Sequence, residues 1–366
     1  MAADGVVYFS KMFQAVPHLA QVARALPGTF VSSRTSTLRA FQRLYPDLEV
    51  ARYSKRFGFL VRGNRLLKDA GAIVTGSPYG SFLKPYAAKK GTVFHGTYMM
   101  LSRDALLRNS HFDLLCVIGP RMKGMLERFP EAERLNIVDT GFLPFCEYPE
   151  RSAQQRAAVL QRLGLDPQRQ TVLYTSSRRG FGSWQRAAEQ LVNTAAPHFN
   201  LILRPHPSQS LTSRRADRDS FKRVRALIQA RGNAFLDLSE CALSEVLSVS
   251  DLVVSDANSP SEEALFYDIP QLMIETPECS RDVIRQIGER EAMHPDDLSQ
   301  LLTLYDCGPN LYIGDQTPDF STVLDRALTD QTAYAAQRER YFSWVFGSRD
   351  RMANERVARA IQTHLL

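Results

Sequence analysis

Short apolar runs, several of them ending in glycine, that lead into helix-patterned stretches recur along this chain, and few folds accommodate them. Val6-Val7-Tyr8-Phe9 is followed by a helical spacing through Leu19, Val22 and Leu26. The theme returns at Gly28-Thr29-Phe30-Val31-Ser32, Ala72-Ile73-Val74-Thr75-Gly76, Thr92-Val93-Phe94-His95-Gly96, Leu114-Leu115-Cys116-Val117-Ile118-Gly119 and Asn136-Ile137-Val138. Strands that are apolar at nearly every position, not at alternate ones, are covered on both faces. That is the condition of a parallel sheet flanked by helices.

The chain has 366 residues, enough for about two domains at roughly 150 residues each. Around Leu143-Pro144-Phe145-Cys146-Glu147-Tyr148-Pro149 the pattern lapses, and two prolines without periodicity suit a linker. It then restarts with strands expected at Thr171 to Thr175, Phe199 to Leu203, Phe235 to Leu238, Asp251 to Ser255 and Gln271 to Ile274. The expected fold is therefore α/β: two doubly wound, Rossmann-like parallel sheets facing a cleft. The expected domains are 1–147, 148–335, and a C-terminal helical stretch, 336–366, that packs back on the first. In such sheets ligands sit at the carboxyl ends of the strands, so residues just after strands are the first candidates for function.

Composition removes several classes. With 44% hydrophobic and 23% charged residues the chain is an ordinary globular one. The formal net charge of +6 favours an anionic partner without choosing it. Five cysteines, none in a CxxC pair, signal neither a disulfide framework nor a Cys-type zinc site. No run approaches the roughly 20 apolar residues of a membrane span. Met1-Ala2-Ala3-Asp4 lacks the start of a signal peptide, so a cytoplasmic setting is expected.

Four constellations follow strands. Ser255-Asp256-Ala257-Asn258-Ser259-Pro260-Ser261-Glu262-Glu263 opens a helix, with Ser259 expected as N-cap, Pro260 at the first helical position and Glu262 closing a capping box. Free amides there suit an anion. Ser255, Asn258, Ser259 and Ser261 add donors, and Glu263 is placed to accept from ribose hydroxyls. Arg204-Pro205-His206-Pro207 aims a guanidinium and an imidazole from a strand tip, suited to a diphosphate. His95-Gly96-Thr97 exposes a second imidazole beside a space-giving glycine. Ser176-Ser177-Arg178-Arg179-Gly180 could wrap phosphate, but without P-loop spacing. The remaining histidines, His18, His111, His198, His294 and His364, lack such a setting. Arg52, Lys55, Arg56, Arg62, Arg65 and Lys68 make a basic stretch that reads as a solvated helix face or as a surface for an anionic acceptor or membrane headgroups.

Taken in order, these motifs resemble the CDP-glycerol glycerophosphotransferase family, the polymerases and primases of teichoic-acid-type polymers. The resemblance runs over roughly residues 85 to 275. It rests on Lys89-Lys90-Gly91-Thr92-Val93-Phe94-His95-Gly96-Thr97, Phe112-Asp113, Thr140-Gly141-Phe142-Leu143-Pro144, Leu203-Arg204-Pro205-His206-Pro207 and Leu252-Val253-Val254-Ser255-Asp256. A fainter echo lies at Gly347 and Glu355-Arg356-Val357.

The resemblance implies a GT-B fold and an inverting-type transferase with no bound metal or other cofactor. It implies His95 as the base, with Gly96 and Thr97 on the acceptor side. His206 and Arg204 would sit on the diphosphate. Ser176, Ser177, Arg178, Ser255, Asp256, Asn258, Ser259, Ser261 and Glu263 would surround the nucleotide. The implied partners are a nucleotide-diphosphate donor and a polymer or lipid-linked acceptor at the inner membrane face, with no nucleic acid. The turn departs from the family in Ala257, Asn258 and Glu263, so CDP, UDP and GDP donors stay open, as do glycerophosphate, polyol phosphate and sugar as the group moved. The same turn is similar to that of non-hydrolysing UDP-GlcNAc 2-epimerases. A polyanion-binding module without catalysis is the remaining alternative.

Overall fold

The computed structural model describes residues 5–210, 214–315 and 319–366, the side chain of Phe59 aside. The chain divides into two compact units, one of residues 1–147 with 343–366 and one of 148–342.

The first unit is a seven-stranded, all-parallel sheet. Its strands are β1 (Val6–Phe9), β2 (Gly28–Ser32), β3 (Val50–Arg52), β4 (Ala72–Thr75), β5 (Lys89–Val93), β6 (Leu114–Val117) and β7 (Ile137–Asp139). Their spatial order is β3-β2-β1-β4-β5-β6-β7. The helices α1 (Val16–Ala25), α2 (Thr35–Leu44) and α3 (Arg62–Asp69) join the first four strands. Val16, Leu19, Val22 and Ala23 on α1 close one face of the sheet with Val357 and Ile361 of the C-terminal helix Ala353–His364 and with Leu365, its C-cap. β3, three residues long at the sheet edge, is absent from the sequence reading. Its inside-outside pattern contains one buried residue, so no apolar run marks it.

The second unit is a six-stranded parallel sheet of β8 (Thr171–Thr175), β9 (Asn200–Arg204), β10 (Ala234–Leu236), β11 (Leu252–Ser255), β12 (Gln271–Glu275) and β13 (Asn310–Tyr312). The order is β10-β9-β8-β11-β12-β13. β13 is the second edge strand without an apolar signature. Trp184, Leu191, Phe221 and Val224 cover one face.

Two expectations change. The 143–149 passage does hold the boundary between the units, at 147/148, but it is not irregular: Leu143–Glu147 is a buried 3-10 helix. Phe145 lies edge-on to Phe346 at 4.8 Å, and Glu147 accepts from Tyr45 and Gln21. Tyr148 packs on Phe266 and Tyr267 of the second unit. The C-terminal return starts at Ser343, not at 336, because the preceding turns of the helix Gln331–Phe346 belong to the second unit. There Arg338 donates to Asp268 and Tyr341 to the buried Glu262.

Candidate functional site

All strands in each sheet run the same way, so the loops after them share one rim, where the order of connections reverses and a crevice opens. In the first unit that reversal lies between β1 and β4. The rim there is filled by aromatic side chains: Phe9 stacks on Phe82 at 4.3 Å and meets Tyr79 edge-on at 5.3 Å.

One strand further on, His95 follows β5. Its Nδ1 lies against the carbonyl oxygen of Gly76, and the Tyr98 hydroxyl lies 3.0 Å from Nδ1 and 3.3 Å from Nε2. A carbonyl can only accept, so Nδ1 carries the proton and Nε2 holds the lone pair. Burial lowers the His95 pKa from its ordinary value, opposed by the Gly76 bond. The ring is therefore neutral near pH 7, with a basic nitrogen turned from its backbone anchor.

The sequence reading passed over His18. It lies in the first turn of α1 and is buried, and its Nε2 accepts the Gly96 N–H at 3.2 Å. Gly96 makes this bond at φ 105°, a conformation closed to ordinary side chains. Burial first, then the His95 charge, push His18 down to about 3. His18 is thus a neutral acceptor near pH 7 that holds the His95 loop. Its signal was positional: the first turn of a helix after a parallel strand lies on the ligand rim. Tyr79 and Tyr98, also missed, are the two non-glycine residues of this unit, among those described, in the left-handed region. Such backbone strain costs on the order of 1–3 kcal/mol and gathers where loops are functionally constrained. Thr97, expected on the acceptor side, is fully buried, and its carbonyl accepts from Arg121.

In the second unit the reversal lies between β8 and β11. Asn258 spans it, donating to the Thr175 carbonyl at 3.2 Å. Asn258, not Ser259, is the N-cap: its Oδ1 accepts the Ser261 N–H at 3.3 Å. Ser259 is the first helical residue and Pro260 the second, so the cap lies one residue earlier than expected. The helix, Ser259–Ala264, has six residues, and its dipole is correspondingly small.

Three expected ligand donors have other work. Asp256 is fully buried and latches the loop after β8, accepting from the amides of Ser177 at 2.5 Å and Ser183 at 3.0 Å and from the Ser183 hydroxyl. Burial raises it to about 6 against those bonds. A Cβ on Gly182 would meet the Ser177 carbonyl oxygen at 2.4 Å, so the latch needs glycine there. Ser255 is buried with its hydroxyl toward Met273, and Ser261 is buried on the Asn258 carbonyl. Ser176 is buried as well. A ligand cannot reach side chains enclosed in this way.

The rest of the expected set reaches solvent. Arg178 is exposed, and Ser177, Asn258, Ser259, Glu263, Arg204 and His206 are half-buried. Arg204 binds the buried Asp237 and the Cys241 carbonyl through Nη1. Its charge also acts on Glu263, whose pKa burial raises to about 7 against the Tyr148 hydrogen bond of 2.6 Å and that charge. His206 Nδ1 accepts the Ser208 N–H at 3.1 Å. An amide can only donate, so the His206 proton is on Nε2. Burial and the Arg178 charge lower its pKa, which keeps it a neutral N–H donor near pH 7. Among the described residues no group of three His, Cys, Asp or Glu side chains is arranged to hold a metal ion.

No protein-family model matches this chain, and no curated protein matches it in sequence. Solved structures do. The wall teichoic acid polymerase TagF is 14% identical with a TM-score of 0.64, covering 100% of this chain and 90% of that one. A glycosyltransferase from Rickettsia africae ESF-5 is 10% identical with a TM-score of 0.54, covering 98% of both chains. Anabaena Alr3699/HepE, solved with UDP-glucose, is 12% identical with a TM-score of 0.54, covering 98% of this chain and 99% of that one. At these identities the likeness establishes the fold: two parallel-sheet Rossmann-like domains of the GT-B type.

Proposed function

We propose that this chain is a transferase that moves a glycerophosphate, a polyol phosphate or a sugar from a nucleotide-diphosphate donor to a hydroxyl of a cell-surface polymer or its lipid-linked precursor. The carrying observation is the pair of backbone-fixed histidine tautomers. His95 presents a lone pair at Nε2, and His206 presents a proton there. One is a base and the other a hydrogen-bond donor to an anion.

In this reading the acceptor hydroxyl approaches His95 Nε2, close to where the Tyr98 hydroxyl lies. Its oxygen attacks the distal phosphorus of the donor, and its proton passes to Nε2. The bridging P–O bond breaks and a nucleoside monophosphate leaves. For a sugar donor the bond broken is the anomeric C–O and a nucleoside diphosphate leaves. The second unit's part in this reading is to hold the donor: His206 Nε2–H and the Arg204 donors not held by Asp237 take oxygens of the diphosphate. Ser177, Arg178, Asn258 and Ser259 take the remaining phosphate oxygens, and Glu263 accepts from the ribose. Acid–base assistance of this kind contributes about 10²–10⁴ in rate.

The fold overlap supports the reading: the teichoic acid polymerase was solved with CDPG, and two of its variants replace a histidine each. Thermal-shift measurements with CDP-glycerol, UDP-glucose and a GDP-sugar select the donor, since ligands of the native state raise its melting temperature. With that donor, acceptor-dependent nucleotide release separates a transferase from an epimerase. Salt-steep binding of polyanions with no donor affinity would overturn the reading.

A further inference from the structure

The basic stretch between β3 and α3 takes no part in the proposed reaction, yet its surroundings are unusual. Leu60 is 72% exposed, the highest among the large apolar side chains of the described residues, and Phe57 three residues earlier is 54% exposed. Both sit on a tip that is held firmly at its base. Asn64 accepts the Ser54 N–H at 3.0 Å and donates to the Ser54 carbonyl at 2.8 Å. The 3-10 turn Gly58–Leu60 closes through Leu60 N–H to the Phe57 carbonyl, and Gly58 at φ 42° lets the chain reverse. The apolar pair is therefore presented by the fold.

Around that pair the charge has one sign. Arg52, Lys55 and Arg56 are exposed, and the Arg56 guanidinium lies 5.9 Å from the Phe57 ring centre. Between Gly5 and Lys68 the carboxylates are Asp47 and Glu49 alone. Both precede β3, on the amino side of the sheet, where they meet Arg24 and Arg62. On the carboxyl side the loops after β1, β2 and β3 carry Lys11, Arg34, Lys55 and Arg56 with no acid between them. The tip thus shares its rim with His95, four strand spacings away, or about 19 Å.

We propose that residues 55–60 form a docking tip for an anionic phospholipid bilayer. Phe57 and Leu60 enter the interface, and the flanking cations meet the lipid phosphates. Apolar side chains ringed by cations match the layered chemistry of a bilayer surface, with charge outside and hydrocarbon beneath. A soluble polyanion would use the cations and leave the apolar pair idle. No helix of the described residues is long and apolar enough to cross a membrane, so this attachment would be peripheral and reversible. It would bring lipid-borne material to the rim that carries His95. The proposal stands on the surface itself and not on the transferase reading.

The test is flotation of the full chain with vesicles of phosphatidylcholine alone and with roughly one third phosphatidylglycerol, at low and high salt. The wild type is expected to bind the anionic vesicles about tenfold better or more. Phe57→Ser with Leu60→Ser should lower that binding about tenfold. Lys55→Gln with Arg56→Gln should lower it similarly and flatten the salt dependence. Both pairs should keep the wild-type melting curve, because the side chains are exposed. In Phe57→Trp the fluorescence should shift to the blue on adding anionic vesicles. Absence of binding to anionic vesicles overturns the proposal. So does wild-type binding by the serine pair, which would mean that cations alone meet a polyanion. Self-association abolished by the serine pair, without vesicle binding, would assign the tip to a second copy and overturn it equally. Donor-induced thermal shifts should be unchanged in all three variants, which keeps this result separate from the fate of the transferase reading.

Discussion

The two histidine loops differ in what surrounds them. His95 is set among neutral groups: the Gly76 carbonyl, the Tyr98 hydroxyl, and His18 holding the neighbouring amide. His206 is set among charges, with Arg178 acting on it and Arg204, Asp237 and Glu263 close to the same strand end. Neutral surroundings let the ring take and return a proton without stranding a charge. Charged surroundings hold an anion but make proton transfer costly. The contrast assigns chemistry to the first rim and donor binding to the second, and each prediction below tries that division.

The largest effect is expected at His95. His95→Ala should lower turnover about 10²–10⁴-fold, the usual worth of a positioned base, with the donor-induced thermal shift intact. Parallel loss of turnover and donor binding would erase the division. Next comes Arg204→Ala, which leaves the fully buried Asp237 without its ion pair. Stranding a buried charge costs about 3–5 kcal/mol, measured as lower resistance of the second unit to urea. Adding Asp237→Asn should restore much of that stability but none of the donor affinity, so that the fold role and the ligand role of Arg204 part. If affinity returned with stability, Arg204 would be structural only.

His18→Ala is expected to be milder. It removes the acceptor of the Gly96 N–H, at about 1–3 kcal/mol for an amide left unsatisfied. Turnover should fall because the His95 loop loosens, and His18→Asn should recover part of it if its carbonyl reaches the amide. A loss of stability without loss of turnover would confine His18 to folding.

How far the sequence disclosed this site follows from what a one-dimensional pattern can carry. Central strands such as β1, β4, β8 and β11 are buried on both faces and write themselves as apolar runs. β3 and β13, exposed on the sheet edges, leave no such mark. His95, His206, Arg204 and Glu263 were legible because they close a strand, follow it within two residues, or sit on the short helix that the next loop opens. His18 was not, because its partner is a backbone amide 78 positions away, and nothing local announces that contact. Ser255, Asp256 and Ser261 misled in the opposite sense. Hydroxyls and carboxylates after a strand look like ligand donors, but once buried they are used inside the protein: Asp256 accepts the Ser177 and Ser183 amides, Ser261 donates to the Asn258 carbonyl, and the Ser255 hydroxyl turns to Met273. Asn258 took the cap because its side chain spans the gap to both Thr175 and Ser261.

The most discriminating effect is the pH response of Glu263. Its folded pKa of about 7 stands above the ordinary 4.5, so between those values the folded state keeps a proton that the unfolded chain has released. Stability from this group must therefore fall as pH rises through that window and level off above it. Glu263→Gln cannot titrate. Relative to wild type it should gain stability steadily from about pH 4.5 to 7, which urea midpoints of both proteins across that range would show. Asp256 titrates in both backgrounds and cancels from the difference. Donor affinity should move the other way. If ribose hydroxyls need the carboxylate, wild-type affinity rises over the same window while that of the glutamine variant stays flat. Opposite slopes for stability and affinity would mark Glu263 as a group kept strained for its ligand. Parallel curves for wild type and variant would mean that it ionises as an ordinary surface acid, and the charged half of the comparison would then rest on Arg204 and His206 alone.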